Sequence, residues 1–343
     1  MQVVQLDLNG DTQAWDDYVR SHGDGSFCHL SGWGRVIAKT FNHKHYYLMA
    51  IDKGDVKGVL PLTFIKSMLF GRSMVSTAFA MYGGPLADNP DVLSLLDQKA
   101  WELTQKSGAK VLEYRTKSRL HEDWACKDDV YVDFVKELDA DNEVNMQAIR
   151  RKQRAMIRKG IKFGLEAVID DNADRLYSMY AESVRNLGTP VFSKRLFVNL
   201  MDEFGRDCEV LTVLHEGRPI SSVMSFYYND AVLPYYGGGT FEARQYAAND
   251  FMYWSVMERA VTERQCREFV FGRSKLGTGA YNFKKNWGFT AISLQYEYKL
   301  ADGEVIPDIS PNNPKYRMMI NTWQRLPLQV ANSIGPMVSR YLG

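Results

Sequence analysis

Apolar positions recur with a helical spacing in some segments of the chain and form short runs of β-branched and aromatic residues in others. Two segments have an apolar helical face: one carries Trp33, Val36, Ile37 and Phe41, and the other, Asn249–Thr262 with an Asn or Asp N-cap, carries Phe251, Trp254, Met257 and Val261. The runs MSFYY at 224–228 and VLPYYGGG at 232–239 are typical of strands and stop at glycines. Strands alternating with helical crossovers predict an α/β (α+β) fold with mixed sheets and flanking helices.

The same order of predicted elements occurs twice in the chain. At one constant separation, the residues Phe41, Leu48 and Gly54 align with Phe204, Leu211 and Gly217. At slightly shorter separations, Tyr82–Gly84 aligns with Tyr236–Gly238, and Arg115 aligns with Arg273. These matches in one order predict an internal duplication, in which 30–118 and 193–276 are two copies of one mixed α/β unit.

Length and charge are compatible with two ordinary domains. A chain of 343 residues fits two domains of about 150 residues each, and its 42 basic and 41 acidic residues leave a net charge of +1. No whole-molecule field therefore attracts a polyanion, and any phosphate binding must come from a local patch. The repeat and the charge pattern divide the chain into a first domain at 1–145, a basic connecting helix at 146–164, a second domain at 165–300 and a C-terminal tail at 301–343.

The cysteines and the hydropathy pattern indicate the compartment. Four cysteines far apart in sequence, without metal-ligand spacing, predict reduced thiols and no metal site; they are Cys28, Cys126, Cys208 and Cys266. The N-terminal segment is acidic, and no run of 18 apolar residues occurs. We expect a cytoplasmic protein, with peripheral contact at the inner face of the membrane as an open option.

Two basic segments could bind anions. The predicted helix at 146–164 contains seven cations and no acid, and Arg150, Arg154 and Arg158 share one face of it. This face is either simply solvated or binds a phosphate-bearing partner, which would offset the repulsion between like charges. The tail carries Lys315, Arg317, Arg325 and Arg340, and its apolar stripes either pack on the protein body or lie on an anionic membrane.

The segment FVFGRSKLGTGAYNFKKNWGF at 269–289 combines glycines, cations and aromatic residues. Common nucleophile, zinc, nucleotide and dinucleotide motifs are missing from the sequence. An apolar strand that opens into a glycine-rich loop with Arg273, Lys275, Lys284 and Lys285 could stabilise a developing oxyanion or hold a phosphate. A structural hairpin with solvated lysines is the alternative interpretation.

The ordered combination of several segments resembles the FemAB family, the peptidoglycan bridge-forming aminoacyltransferases with two GNAT-like domains. The resemblance covers roughly residues 20–300 and rests on YGGPL at 82–86, RRKQRAMIRKGIKFG at 150–164, YYGGG at 235–239, AAND at 247–250 and FGRSKLGTGAYNFKKNWG at 271–288. The subgroup associated with exosortase and PEP-CTERM exopolysaccharide systems is the most similar in appearance. The family implies an acyltransferase that moves an aminoacyl or related acyl group, with charged tRNA as one option for the donor, onto an amine of a cell-envelope precursor carrying phosphate or sugar. It implies no cofactor.

The resemblance also implies roles for individual residues. The family's functional lysine falls on Lys284, which would stabilise the charge on the reacting carbonyl without a covalent enzyme intermediate. A precursor-binding position falls near Trp33 and Arg35. The family's acidic residue falls near Arg115, where this sequence departs from the pattern with LEYRTKS, and Glu113 is a candidate substitute. The remaining substrate-binding candidates are Tyr82, Arg154, Arg158, Tyr236, Asn249, Arg273, Ser274 and Lys285.

A CoA-dependent N-acetyltransferase acting on an amino sugar of an exopolysaccharide is the alternative function. GNAT enzymes hold the CoA pyrophosphate with a [QR]-x-x-G-x-[GA] motif at a helix N-terminus. At the corresponding place stands RQYAAN at 244–249, with Ala247 at the glycine position and Asn249 at the last position. A methyl group there would crowd the pyrophosphate, which disfavours acyl-CoA without excluding it.

Overall fold

Helices and strands alternate along the chain as the pattern predicts. The computed structural model describes residues 1–67, 71–306 and 314–342, with the backbone alone for 314–316. The strands are β1 (Gln2–Gln5), β2 (Lys44–Asp52), β3 (Asp55–Ser67), β4 (Gly71–Ser76), β5 (Leu86–Ala87), β6 (Val111–Thr116), β7 (Ala125–Lys127), β8 (Tyr131–Glu137), β9 (Glu166–Asp170), β10 (Cys208–His215), β11 (Arg218–Tyr228), β12 (Ala231–Gly239), β13 (Glu268–Val270), β14 (Ser274–Lys275), β15 (Thr290–Ser293) and β16 (Gln295–Leu300). The helices are α1 (Gln13–Ser21), α2 (Ser31–Phe41), α3 (Pro90–Lys106), α4 (Asn142–Ala148), α5 (Arg151–Lys162), α6 (Asp174–Leu187), α7 (Lys194–Phe204), α8 (Ala243–Tyr246), α9 (Ala248–Thr262), α10 (Gly279–Asn286), α11 (Pro314–Arg325) and α12 (Leu328–Ser339), and two short 3₁₀ turns span Phe27–His29 and Gly205–Asp207.

The first unit contains one mixed sheet. It comprises residues 1–131, 293–306 and 339–342, and its strands lie in the order β1-β2-β3-β4-β6-β16-β7, with β5 paired to β3. Neighbouring strands are antiparallel except β4 and β6, which run parallel. Helix α3 packs Val92, Leu96 and Ala100 against sheet residues such as Leu60 and Leu112. Burial of this apolar face stabilises the unit.

The second unit contains a sheet of the same topology. It comprises residues 132–292 and 314–338, and its strands lie in the order β9-β10-β11-β12-β13-β8-β14, with β15 paired to β8. Here too one neighbouring pair, β12 with β13, is parallel and stands at the same place in the order as β4 with β6. Helix α9 takes the place of α3 and buries Met252, Met257 and Ala260 in the core of this unit. The equal strand order confirms two copies of one mixed α/β unit.

The matched positions around the first hairpin occupy equivalent places in the two copies. Phe41 and Phe204 end α2 and α7, and two-residue turns at Lys53-Gly54 and Glu216-Gly217 join the following strands. All four turn residues have positive φ, which is the type I′ geometry that fits the twist of a hairpin. The Tyr-Gly-Gly match is looser, because Tyr82–Gly84 lies in the loop after β4, whereas Tyr236–Gly238 continues strand β12.

The domain boundaries read from the sequence differ from those of the structure. Strand β8, at 131–137, pairs with β13 in the second sheet, although its position in the chain placed it in a first domain at 1–145. Strand β16, which the sequence placed in a second domain at 165–300, pairs with β6 and β7 in the first sheet. Each sheet therefore takes its sixth strand from the segment that follows the other copy, a non-local pairing that local patterns do not specify.

The connecting segment 146–164 forms two helices instead of one. Helix α4 ends at Ala148, Ile149 is extended, and α5 begins after Arg150, which is its exposed N-cap. The buried side chains Ile149 and Ile157 explain the break, since the bend lets both reach the core of the second unit. The predicted face of three arginines is corrected accordingly, because Arg150 lies outside the helix that carries Arg154 and Arg158.

The tail forms helices α11 and α12 within the described residues. Ala331 and Ser339 on α12 are buried, and a side chain at Gly335 would clash with Val191. The tail therefore packs on the protein body through one face. In the part of the chain that the structure describes, every helix is too short or too polar to span a bilayer.

Candidate active site

A cleft opens in the second unit at the carboxyl end of strand β12. Strands β12 and β13 are registered only at Ala231–Glu268 and Val232–Phe269; β13 then ends at Val270, while β12 continues to Gly239. The carboxyl ends of both strands lie at one edge of the sheet. In sheets with parallel strands, this edge is where ligands commonly bind.

The cleft has a glycine floor and a mixed polar and apolar wall. Its volume is about 260 Å³, and it is lined by Ser183, Asn186, Leu187, Gly237, Gly238, Gly239, Thr240, Phe241, Arg244, Asn249, Met252 and Tyr253. A side chain at Gly238 would clash with the backbone oxygen of Met179 and the Cβ of Ser183, both 2.7 Å from the position of a Cβ atom. Glycine is needed here because helix α6 approaches the strand so closely.

The start of helix α9 adopts the backbone conformation that favours glycine. Ala247 has φ 57° and ψ 34°, the left-handed region, and is buried at the N-terminal end of the helix. This conformation costs a non-glycine residue roughly 1–2 kcal/mol. Ala247 therefore combines a backbone conformation that favours glycine with a methyl group, at the position where the [QR]-x-x-G-x-[GA] motif has glycine. Helix α9 begins at Ala248 with no side-chain cap, rather than at the Asn or Asp cap that the pattern predicted.

Asn249 follows in the first turn of α9 and lies in the cleft wall. Its Oδ1 atom is buried and has no hydrogen-bond partner among the described residues. Of the sequence-predicted binding residues, Asn249 is the one that lines this cleft directly.

Lys284 lies at the same sheet edge, on helix α10. The helix begins after Thr278, whose hydroxyl accepts a hydrogen bond from the Tyr281 amide. The Lys284 Nζ atom donates to the carbonyl oxygens of Gly272 at 2.7 Å and Arg273 at 3.2 Å, the residues that follow β13. Its ammonium group also lies 5.4 Å from the centre of the Phe271 ring. The lysine is therefore held in one position by the strand end.

Burial of Lys284 disfavours its charged form. Burial lowers the pKa of Lys284 from 10.5 to about 8. The negative charge of Asp133 opposes this fall, and the positive charge of Arg273 adds to it. Lys285, its neighbour with the same chemistry, is exposed and lies over the Tyr281 ring at 5.9 Å. The fold thus distinguishes the two lysines.

Tyr253 connects the cleft with the surroundings of Lys284. It lines the cleft, and its ring packs against Phe271 at 4.6 Å and Phe283 at 5.8 Å between ring centres. Since Phe271 also contacts the Lys284 ammonium, Lys284 belongs to the aromatic cluster that backs the cleft.

A buried carboxylate joins three helices of this site and was missed by sequence reasoning. Asp250 Oδ1 accepts hydrogen bonds from Gln153 Nε2 at 2.9 Å and Trp287 Nε1 at 3.1 Å. Burial raises the pKa of Asp250, and the two hydrogen bonds oppose this rise. The network ties α5 and the end of α10 to the start of α9, next to Asn249. Its only sequence signal is an acid in an otherwise apolar helix segment.

The remaining predicted residues of the second unit have different surroundings. The guanidinium of Arg154 donates to the Gln147 carbonyl at 2.5 Å, whereas Arg158 and Arg273 are exposed. Ser274 is buried beside Arg273, and its Oγ atom has no partner among the described residues. Tyr236 is a core residue instead of a cleft residue, because its ring packs edge-on against Tyr180 and Phe197.

In the first unit, the corresponding strand ends are closed. The amides of Gly83 and Gly84 both donate to the Arg115 carbonyl at 3.0 Å, and the adjacent cleft, lined by Tyr82 and Arg115 among others, measures only about 40 Å³. The Arg115 guanidinium is buried against Glu113 at 2.7 Å, so this carboxylate is committed to an ion pair. Tyr82 and Arg115 are brought together, but the space beside them is much smaller than in the second unit.

Trp33 and Arg35 serve the fold of the first unit in the described structure. Trp33 is buried, and its indole donates to the Ala78 carbonyl at 3.1 Å. Arg35 reaches the Leu8 carbonyl at 3.4 Å and Thr12 at 3.3 Å. Neither belongs to the lining of the first-unit cleft, and the precursor-binding position taken from the resemblance stays a prediction.

A second titratable cluster of the first unit was also missed. His121 Nε2 lies 2.9 Å from Asp97, and its Nδ1 lies 3.4 Å from the fully buried Glu297 on β16. Burial opposes charge on the imidazole, but the neighbouring carboxylates of Asp97 and Glu297 outweigh burial and raise the pKa of His121 to about 9. The cluster ties β16 to α3 and to the loop after β6.

Comparisons with known proteins agree with this architecture. Residues 145–285 match the family model described as the acetyltransferase (GNAT) domain. The crystal structure of FemX superposes with a TM-score of 0.67 at 16% identity, covering 93% of this chain and 100% of that one. The fold is a FemAB-like tandem GNAT fold.

Two further solved structures share the fold. A tandem GNAT protein from the clavulanic acid biosynthesis pathway matches with a TM-score of 0.57 at 13% identity, covering 89% of this chain and 99% of that one. The C-terminal domain (DUF2156) of a putative lysylphosphatidylglycerol synthetase from Agrobacterium fabrum matches with a TM-score of 0.56 at 12% identity, covering 85% and 92%. No curated protein sequence is significantly similar to this chain. The matched domain in the second unit is of the GNAT acyltransferase type, and the PEP-CTERM subgroup stays a prediction.

Proposed function

We propose that this protein transfers an aminoacyl or related acyl group onto an amine of a cell-envelope precursor, with the chemistry located in the second unit. The observation that carries the proposal is the partly desolvated ammonium of Lys284, fixed by two carbonyl oxygens at the open edge of a GNAT-type sheet. The corresponding edge of the first unit is closed by hydrogen bonds. We therefore assign the reaction to the second copy of the duplicated fold and no reaction to the first copy.

The reaction needs little from the protein beyond positioning and charge stabilisation. The acceptor amine attacks the carbonyl carbon of the activated acyl donor, so that a C–N bond forms and the carbonyl oxygen becomes an oxyanion. The bond to the donor oxygen then breaks, and the amine proton passes to the departing alkoxide. Holding the two reactants together supplies much of the rate. The Lys284 ammonium stabilises the oxyanion, and its partial desolvation strengthens this interaction.

Three features support an aminoacyl donor and an envelope acceptor. The resemblance to the FemAB family implies this chemistry, and one structural neighbour is named a putative lysylphosphatidylglycerol synthetase. The methyl group of Ala247 stands where GNAT enzymes place glycine against the CoA pyrophosphate. We assign the contact with donor or precursor phosphates to Arg273, Arg154 and Arg158, of which the latter two lie on the helix that Gln153 links to the site.

A CoA-dependent N-acetyltransferase acting on an amino sugar is the second candidate. The specific observation in its favour is the left-handed conformation of Ala247, which glycine adopts readily and which stands at the glycine position of the pyrophosphate motif. A thermal shift experiment with acetyl-CoA and with aminoacyl-tRNA in parallel separates the two donors, because a ligand at 100 times its Kd stabilises by about 2.7 kcal/mol. Stabilisation by acetyl-CoA alone would favour the CoA-dependent N-acetyltransferase over the aminoacyltransferase.

The role of Lys284 is tested by comparing two neighbouring substitutions. We expect Lys284→Met to lower the turnover number about 10²–10³-fold, which is the typical effect of removing one oxyanion contact. The turnover number of Lys285→Met should stay near that of wild type. The assay measures transfer from a labelled aminoacyl-tRNA pool to amine-bearing peptidoglycan precursors. Equal, small losses of transfer activity in both variants would show that Lys284 does not take part in the reaction.

The phosphate contacts are tested separately. Arg154→Gln with Arg158→Gln should weaken donor or acceptor binding and reduce its salt dependence, since each removes a positive charge near the site. Arg206→Gln with Arg267→Gln, at two exposed positions elsewhere in the second unit, is the charge-matched control. If the Arg154→Gln, Arg158→Gln variant shows unchanged binding and unchanged salt dependence, these arginines are simply solvated and bind no phosphate.

A further inference from the structure

The two tail helices have an inner and an outer face with different surroundings. On the inner face, Leu328 packs with Val184 and Val191, and Ile320 closely approaches Gly188. The outer face of α12 presents Val330, Ile334 and Met337 to solvent, with 43%, 38% and 68% of their surfaces exposed. Their spacing of four and three residues places them in one line along the helix. An apolar line that remains uncovered after the helix has packed is available to a partner.

The charges within the tail itself are of one sign. From Pro314 to the end of the sequence there are four cations and no acid, and Arg317 and Arg325 are exposed on α11 beside Met318, which is itself 68% exposed. A second copy of this chain would bring equal positive charges together. An anionic surface with an apolar interior satisfies both the arginines and the apolar line.

The tail is attached to the wall of the candidate active site. Gln324 Nε2 donates to the Asn186 carbonyl at 3.2 Å, and the Arg185 guanidinium donates to the Gln324 carbonyl at 3.4 Å. Asn186 and its neighbour Leu187 line the cleft. Leu187 and Phe241, another lining residue, are 67% and 78% exposed. A surface that binds the tail would therefore lie near large apolar side chains of the cleft.

We propose that α11 and α12 dock this protein on an anionic phospholipid surface, with the Val330–Ile334–Met337 line inserted at the boundary between headgroups and acyl chains. Arg317 and Arg325 bind the lipid phosphates. The helices lie in the plane of the interface, in agreement with their length and their apolar outer line. Docking does not depend on the acyl-transfer chemistry, and it localises the protein at the membrane through a segment that also holds the cleft wall.

The test is co-sedimentation of the full chain with vesicles. Vesicles of phosphatidylcholine alone are compared with vesicles of phosphatidylcholine and phosphatidylglycerol in equal parts. We expect binding to the anionic vesicles only, with a loss at high salt. Replacing Arg317 and Arg325 with Gln should lower the partition coefficient about fivefold for each arginine. The control pair Arg206→Gln and Arg267→Gln should bind like wild type.

The apolar line is tested with a matched pair of substitutions. Val330→Glu should abolish most of the binding, whereas Ile169→Glu, at a position on β9 exposed to the same 43%, should preserve it. Circular dichroism and the thermal midpoint show that both variants fold, because both side chains are exposed. Equal binding of the two variants, or no anionic binding by wild type, would overturn the proposal. So would light scattering that shows a dimer which Val330→Glu dissociates, because the line would then cover a second copy.

Discussion

Lys284 should make the second unit less stable at neutral pH and more stable as the pH rises. The lysine is a base whose pKa falls from 10.5 in the unfolded chain to about 8 in the fold, chiefly because of burial. At pH 7 it is charged in both states, so the folded state bears the full desolvation cost. Between pH 8 and 10.5 the unfolded chain still holds the proton and the folded lysine does not, so stability increases with pH in this window.

The magnitude follows from the pKa difference. A fall from 10.5 to about 8 corresponds to about 3 kcal/mol for the charged lysine, and solvent screening of its partly exposed side chain reduces this to about 2 kcal/mol. Lys284→Met removes this pH-dependent contribution. It also removes the donor for the Gly272 and Arg273 carbonyls, which costs about 1–3 kcal/mol at every pH. The pH-dependent difference between variant and wild type therefore isolates the desolvated charge.

The assay is differential scanning calorimetry at pH 7, 8, 9 and 10 on wild type, Lys284→Met and Lys285→Met. Relative to wild type, the Lys284→Met midpoint should fall by about 4–8 °C between the two ends of this range, since about 1 kcal/mol shifts the midpoint of a unit this large by about 2–4 °C. Lys285→Met should follow wild type, because Lys285 is exposed. Parallel pH profiles for all three proteins would refute a desolvated ammonium at position 284.

Three other substitutions test the surroundings of the sites. Because the pKa of His121 is raised to about 9, its charge stabilises the first unit fully below pH 6.5, and this contribution of about 2–3 kcal/mol is lost as the pH rises through 9; His121→Gln should remove this loss in urea unfolding. Ala247→Gly should stabilise the second unit by about 0.5 kcal/mol in the same experiment. Glycine relieves the strain of the left-handed conformation, and this gain exceeds the cost of the greater entropy that glycine gives the unfolded chain; a loss of stability would show that Ala247 is not strained. Trp287→Phe should cost about 1–3 kcal/mol by leaving the Asp250 carboxylate with one side-chain donor, Gln153, and an unchanged unfolding midpoint would show that water replaces the indole.

The sequence alone determined the repeated order of elements and the location of the Lys284 segment. Helical and strand periodicities, the two turns at Gly54 and Gly217, and the glycine-bounded run before Arg273 are local signals. Local signals survive in any tertiary context because they arise from backbone conformation and from neighbouring side chains. They therefore predicted two copies of a mixed α/β unit and placed Lys284 after a strand end.

Only the tertiary structure decided which strands complete each sheet and which candidate residues meet. The exchange of β8 and β16, the network at Asp250 and the cluster around His121 join residues far apart in the chain, and their pairing depends on the packing of whole sheets. The same packing turned Trp33 and Tyr236 into core residues, closed the first strand edge and left the second open. Burial and long-range pairing depend on every neighbouring element at once, so no local pattern of residues encodes them.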